Sequence, residues 1–182
     1  MLSRILGPWR GEVMGDFQGT LAKPVKFSGR GLHGNKCVDL TVLPALVGTG
    51  IEFVRVDLDG CPVIPACPEY IVSTDLCTTL GLDNICKVST VEHLISALIG
   101  TGIHNATICV NAGEVPVLDG SALEFVKSFK EVGICKQPEE QRLIRVKKRI
   151  ASNQNDQFMV IEPWEDPEDT RLIIDCSIDF CE

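Results

Sequence analysis

The residues able to do chemistry in this chain are few. Its three histidines are His33, His93 and His104, and one of them directly follows a carboxylate in Ser89-Thr90-Val91-Glu92-His93-Leu94. An imidazole can ligate a metal or move a proton near neutral pH, and a carboxylate can act as a general base. The spacing is not that of H-E-x-x-H, in which two ligands share one helical face. Blander roles fit the same residues. Ser89 followed by Glu92 has the S-x-x-E spacing of a capping box, and a lone His on a mostly apolar helix is more often a core or boundary residue than a ligand. His33 falls in the glycine-rich Ser28-Gly29-Arg30-Gly31-Leu32-His33-Gly34 and is expected to be solvated. Cys77 would serve as a nucleophile only beside a base that lowers its pKa, and the sequence establishes no such pairing. Asp119-Gly120-Ser121 has the look of a binding loop, but Ser121 with Glu124 repeats the capping spacing and the turn residues suit a sharp start to a helix.

Cysteines are numerous, nine in all, yet no C-x-x-C pair occurs, so a zinc knuckle or a thioredoxin-like site is not indicated. An odd count without a secretory signal reads as reduced thiols acting mostly as small buried hydrophobes. A net charge of -8 removes any general attraction to nucleic acid or anionic lipid. The basic run Arg145, Lys147, Lys148, Arg149 reads as one solvated strand face. No apolar run approaches the roughly 20 residues of a membrane span. The hydrophobic share of 45% beside 23% charged residues is that of a folded globular chain with at least one substantial core.

The elements that would position these residues follow from periodicity. Val25 to Pro44 reads as a hairpin with its turn at Ser28-Gly29-Arg30-Gly31, and Ile51 to Leu58 as an alternating strand with one buried and one wet face. From Ser89 to Gly100, the residues Val91, Leu94, Ile95, Leu98 and Ile99 form the stripe of an amphipathic helix. A strand at Ala106 to Val110 follows. A second helix spans about Ala122 to Val132, with Leu123, Phe125, Val126 and Phe129 for its apolar face and Gly133 as its stop. Ile144 to Pro163 repeats the opening at the same interval, with a basic strand, a polar turn at Ser152 to Asp156 and the strand Phe158 to Ile161. Thr170 to Phe180 supplies a further strand. This pattern predicts an α+β protein of two related two-layer sandwich domains, joined near Gln137-Pro138-Glu139-Glu140. Residues 1–15 are a disordered or targeting-like start, 16–137 the first domain with its sheet and two helices, and 138–182 a second domain present only as its first strands.

Four stretches taken in order resemble the UDP-3-O-acyl-N-acetylglucosamine deacetylases, zinc-dependent amidases of lipid A biosynthesis. They are Ser28 to Gly34, Leu76-Cys77-Thr78-Thr79-Leu80, Ser89 to Leu94, and Glu114-Val115-Pro116-Val117-Leu118-Asp119-Gly120-Ser121-Ala122. The tail Leu172 to Phe180 also looks like the corresponding strand of the family's second domain, and the resemblance covers about Asp16 to Phe180. It implies two similar domains whose helices face one another across the site. It further implies a Zn2+ cofactor and hydrolysis of the N-acetyl group from UDP-3-O-acyl-N-acetylglucosamine.

By the same resemblance His93 is one zinc ligand and Glu92 the base acting on the metal-bound water, while Leu76 and Cys77 line the substrate site near the metal. The residue types suit amide hydrolysis, because zinc lowers the pKa of its water to about 7 and a neighbouring carboxylate shuttles the proton. Adjacent helical residues project about 100° apart, so His93 and Glu92 can divide these tasks. The family takes its other ligands, a His and an Asp four residues apart, and a further acid His, from the second domain. None of the three is expected before Glu182. His104 stands where the family usually carries Asp, which puts local pairing there in question.

Two readings therefore compete: a contributor to zinc-dependent deacetylation, and a non-catalytic relative, truncated in its second domain, that serves as a binding or interaction module. Strands lacking covering helices would expose an apolar sheet face, so self-association is expected. Bacterial members are cytoplasmic and plant relatives mitochondrial; the free cysteines and a start carrying Arg4 and Arg10 point to a plant-like, mitochondrial member, with the cytoplasm as the alternative.

Overall fold

A computed structural model describes residues 17–142, 144, 146–154, 157–163 and 173–178. Contacts divide the chain into two compact units, Asp16–Gln141 and the remainder, which contains Arg142–Glu182. Among the described residues no helix is long and apolar enough to cross a membrane. The Arg-containing start at residues 1–10 lies outside the described residues.

The first unit is an α+β assembly of mixed sheets and two helices. Its main sheet has five strands: β2 (Val25–Arg30), β3 (Cys37–Pro44), β9 (Ala106–Val110), β4 (Ile51–Arg55) and β5 (Val63–Pro65), neighbours in that order. All neighbouring pairs are antiparallel except β4 and β9, which run parallel. A three-stranded sheet joins β6 (Ile71–Ser73), β7 (Thr79–Gly81) and β8 (Lys87–Ser89), and β1 (Phe17–Leu21) pairs antiparallel with β10 (Ile134–Glu140). Helix α1 (Glu92–Gly100) links β8 to β9, and α2 (Leu123–Val132) links β9 to β10.

Side-chain period explains the layering. Val38, Leu40 and Val42 of β3 and Ala106, Ile108 and Val110 of β9 alternate onto one buried face, in one cluster with Leu94, Ala97 and Leu98 of α1 and Phe125 and Phe129 of α2. Phe27 of β2 meets Phe125 edge-on at 4.8 Å and Phe129 at 6.0 Å between ring centroids. Each fully buried Phe contributes about 1.5–3 kcal/mol of transfer free energy, so this trio is a main fastening of α2 to the sheet.

Several sequence expectations need correction. The β2–β3 turn begins at Gly31, not Ser28, because Ser28, Gly29 and Arg30 pair in register with Asp39, Val38 and Cys37. The strand at Ile51 ends at Arg55, and its charge pattern does not mark a wet face, for Arg55 is buried with Phe53. Its guanidinium is satisfied by both carboxylate oxygens of Asp57 (2.8 and 2.7 Å) and by the carbonyl of Lys87 (2.5 Å). Helix α1 starts at Glu92 rather than Ser89, and its buried stripe includes Ala97 while Ile99 is exposed. In α2, Leu123 is half exposed and the apolar face rests on Phe125 and Phe129. Gln137 to Glu140, read as a linker, belong to β10, where Glu140 pairs with Phe17 of β1 after an irregularity that leaves Gln137 to Glu139 outside the regular register.

Most described cysteines are not buried filler: Cys37, Cys61, Cys67, Cys135 and Cys176 are exposed and Cys86 alone is buried. Cys37 begins β3 and Cys61 and Cys67 sit in connections, where chain ends and turns leave the thiols in solvent.

Among the described residues the second unit contains one antiparallel hairpin, β11 (Ile150–Gln154) with β12 (Gln157–Ile161). Strand β11 runs through Ser152 and Asn153, which were expected in the turn, and begins after the basic run, so Lys147, Lys148 and Arg149 are not strand residues. Residues 173–178 carry no strand; the rest of the strand expected at Thr170 to Phe180, like Arg145 and residues 155–156, lies outside the described residues.

Candidate functional site

The start of α1 is built differently from a capping box. Ser89 closes β8 opposite Thr79, and its hydroxyl bonds the Thr79 hydroxyl at 3.0 Å. The residue at the helix cap is Val91, which has no side-chain acceptor to offer. Glu92 therefore does not complete an S-x-x-E box. Its Oε2 instead accepts the backbone N–H of Thr78 at 3.0 Å, and the Thr78 carbonyl accepts from Val91 N at 3.4 Å. These bonds tie the head of the helix to the loop before β7, which carries Leu76 and Cys77. Leu76 adopts φ 61° and is 92% exposed, an unusual state for a large apolar residue. The Cys77 sulfur lies 3.8 Å from the Thr79 hydroxyl.

Glu92 and His93, both partly buried, line an open depression of about 330 Å³ together with Ser96, Ser121 and Ala122. Ser96 lies four residues after Glu92 and three after His93, one helical turn along the same side of α1. Ser121 and Ala122 arrive from the start of α2, which packs against α1. The Asp119-Gly120-Ser121 turn is held internally: Asp119 Oδ1 accepts the N–H and hydroxyl of Ser121, and Ser121 Oγ accepts the N–H of Leu123 at 3.1 Å. The same serine thus shapes the turn and borders the depression. Leu76 and Cys77 are not among the lining residues; they connect to Glu92 through the Thr78 amide.

Thr90, two residues before Glu92, meets a buried carboxylate that sequence reasoning passed over. Glu114 accepts the backbone N–H of His33 and of Gly34, both at 2.8 Å, and the hydroxyl of Thr90 at 3.1 Å. Burial pushes its carboxyl up, but the His33 and Gly34 amides, the Thr90 hydroxyl and the charge of His33 outweigh that, leaving it below its ordinary value. One side chain thus joins the β2–β3 turn to the residue two before Glu92. The family motif drew attention to Glu92, whereas nothing local to Glu114 reveals partners some 80 residues earlier.

The remaining histidines have local roles. The His33 side chain is exposed, as its turn implied. His104 is well paired: its Nδ1 accepts the N–H of Gly19 at 3.0 Å, which places the ring proton on Nε2, donated to Gln141 Oε1 at 2.8 Å. An imidazole at this position is satisfied without a carboxylate.

A catalytic zinc normally takes three protein ligands. Among the described residues no three His, Cys, Asp or Glu side chains converge as a metal set, so His93 stands as one donor beside Glu92. The described residues do not by themselves fit a zinc site.

Residues 18–182 match the family described as LpxC, UDP-3-O-acyl N-acetylglycosamine deacetylase. A UDP-3-O-acyl-N-acetylglucosamine deacetylase of Shewanella violacea is 41% identical over 164 residues, covering 90% of this chain and 52% of the relative. Proteins of the same name from Shewanella halifaxensis and Shewanella sediminis are 40% and 38% identical over the same length, with the same coverage. All three are bacterial, and a plant-like affiliation goes beyond these matches. The chain spans about half the length of the curated relatives it matches. With four motifs in order, the Glu92–His93 helix head and a match over nearly the whole sequence, this chain belongs to the UDP-3-O-acyl N-acetylglycosamine deacetylase family.

Proposed function

We propose that this chain is a non-catalytic relative of the deacetylases, a binding module that offers the Glu92–His93 depression to UDP-3-O-acyl-N-acetylglucosamine without holding zinc of its own. The observation that carries this reading is the lone donor: His93 has no second or third ligand among the described residues. Its test is the zinc content of the purified 182-residue chain after dialysis without chelator, measured beside acetate release from the acylated UDP-sugar. Absence of retained zinc and of acetate, with calorimetric binding of the sugar nucleotide that weakens in Glu92→Ala and His93→Ala, is the expected result. Near one zinc per chain, lost in His93→Ala, would overturn it.

A second reading is zinc-dependent deacetylation, with His93 as a ligand, Glu92 as the base and Leu76 and Cys77 beside the substrate. It is favoured by the adjacency of Glu92 and His93 on one depression and by family membership. Zinc-dependent acetate release by the chain would select it.

Two further expectations belong to the proposal. Self-association through the second unit is supported by the exposure of Met159 (61%) and Ile161 (46%) on β12 and of Ile150 (56%), the partner of Ile161 on β11, which share one face of the hairpin, and light scattering showing only monomers would refute it. Residence in mitochondria rather than the cytoplasm is checked by imaging a fluorescent fusion of the full chain.

A further inference from the structure

The geometry points to Glu114, acting through Thr90, as a positioning residue for the Glu92–His93 pair. This rests on the reading of those two residues as the working pair of the site. Thr90 is the residue that redirects the chain from β8 into α1. It is a β-branched residue at φ 59°, a backbone state such side chains rarely adopt, and only 5% of its surface is exposed. A conformation of this kind persists where its surroundings over-determine it, and such residues gather at functional sites.

The surroundings here are specific. The Thr90 hydroxyl donates to Glu114 Oε1, and on either side of Thr90 the backbone is locked. Ser89 N donates to Gly113 O at 3.0 Å, Val115 N to Ser89 O at 3.0 Å, and Val91 N to Thr78 O. Glu114 is in turn held by the amides of His33 and Gly34, so its position does not depend on Thr90. The result is a rigid post in the first unit against which the left-handed residue is pinned. From that residue the chain advances two positions to Glu92, whose carboxylate then meets the Thr78 amide. If Thr90 relaxed toward an ordinary backbone state, the direction of the first turn of α1 would change, and Glu92 would lose that amide. Glu114 touches neither Glu92 nor His93 by any hydrogen bond, so its influence runs through the backbone.

The test is the backbone amide of Thr78, read by proton shift and hydrogen exchange in the labelled full-length chain. Thr90→Val keeps the shape and removes the donor, Thr90→Ser keeps the donor, and Glu114→Gln keeps the size and removes the charge. Expected are an upfield move of the Thr78 amide and exchange faster by about tenfold in Thr90→Val and Glu114→Gln, with Thr90→Ser like the parent chain. Val42→Ala, a cavity in the β3 part of the core with no hydrogen bond to the Glu114 network, should leave the Thr78 shift in place. Unchanged Thr78 signals in both Thr90→Val and Glu114→Gln, or an equal change in Val42→Ala, would overturn the inference. Should Glu114→Gln fail to fold, the comparison of Thr90→Val with Thr90→Ser decides alone. No metal, substrate or turnover enters the measurement, so failure of the proposed function and failure of this inference are told apart.

Discussion

Replacing Gly31 by Ala tests the Glu114 post from its other side. A Cβ built on Gly31 would come within 2.7 Å of Glu114 Cδ and 3.2 Å of Cγ, with Oε2 nearer still. Gly31 has no left-handed backbone requirement, so contact with Glu114 is the main source of the cost. Oε2 accepts the Gly34 amide and Oε1 accepts from His33 and Thr90. Displacing Oε2 alone forfeits one hydrogen bond to a charged acceptor, worth about 1.5–3 kcal/mol; dragging Cδ with it weakens a second. The expected loss is about 2–4 kcal/mol, which is a large part of the stability of a small domain. The assay is urea unfolding of the full chain followed by circular dichroism, in a double-mutant cycle with Glu114→Ala. Once the carboxylate is gone its close contacts with the new methyl go with it, so Gly31→Ala should cost much less in that background, a coupling of about 2 kcal/mol or more. An equal cost of Gly31→Ala with and without Glu114 would refute the reasoning and assign the glycine to chain flexibility alone.

Other outcomes follow from the same geometry. Because the Glu114 carboxyl sits below its ordinary value of 4.5, the unfolded chain takes up a proton first; the stabilisation is fully present above about pH 5 and is lost as pH falls through the depressed native value. Glu114→Gln should flatten that acid limb in urea titrations across pH 3–6 (about that range), and an unaltered slope would exclude Glu114 as its source. Phe27→Ala removes the ring that contacts both Phe125 and Phe129 and is expected to cost about 3–5 kcal/mol in urea unfolding, where a loss under about 1 kcal/mol would contradict the packing. Arg55→Met leaves the Lys87 carbonyl and the Asp57 carboxylate without their donor; since Asp57 keeps 30% side-chain exposure, the expected cost in urea unfolding is about 2–4 kcal/mol, below the roughly 3–5 kcal/mol of a fully buried pair, and a cost under about 1 kcal/mol would contradict it.

How much of this was legible in the sequence depends on the range of the interactions involved. The alternation of Val38, Leu40, Val42 and of Ala106, Ile108, Val110 announced strands, since a strand's side-chain period is a local property of its own residues. The same holds for Phe125 and Phe129 one helical turn apart, and for Gly133, whose φ of 85° suits the residue that ends α2. Motif spacing placed Glu92 and His93 at the head of a helix, and Ser96 was recoverable from the same helical period. Local pattern failed where a distant partner overruled it. Arg55 looks like a solvent residue until Asp57 and the Lys87 carbonyl close around it, and Ser89 looks like a cap until Thr79 pairs with it across a hairpin. Gln137-Pro138-Glu139-Glu140 has linker composition, yet β1, more than a hundred residues earlier, supplies a strand partner.

The sequence by itself therefore determined the family, the main strands and helices, and the adjacency of a carboxylate and an imidazole, because these reside in residue type and short-range spacing. The tertiary structure alone decided that Glu92 answers to the Thr78 amide, that Ser121 and Ala122 complete its depression, and that Glu114 fastens the turn at Gly34 to the strained Thr90. Those are contacts between residues far apart along the chain, and their donors and acceptors become partners only when burial excludes the water that would otherwise satisfy each of them.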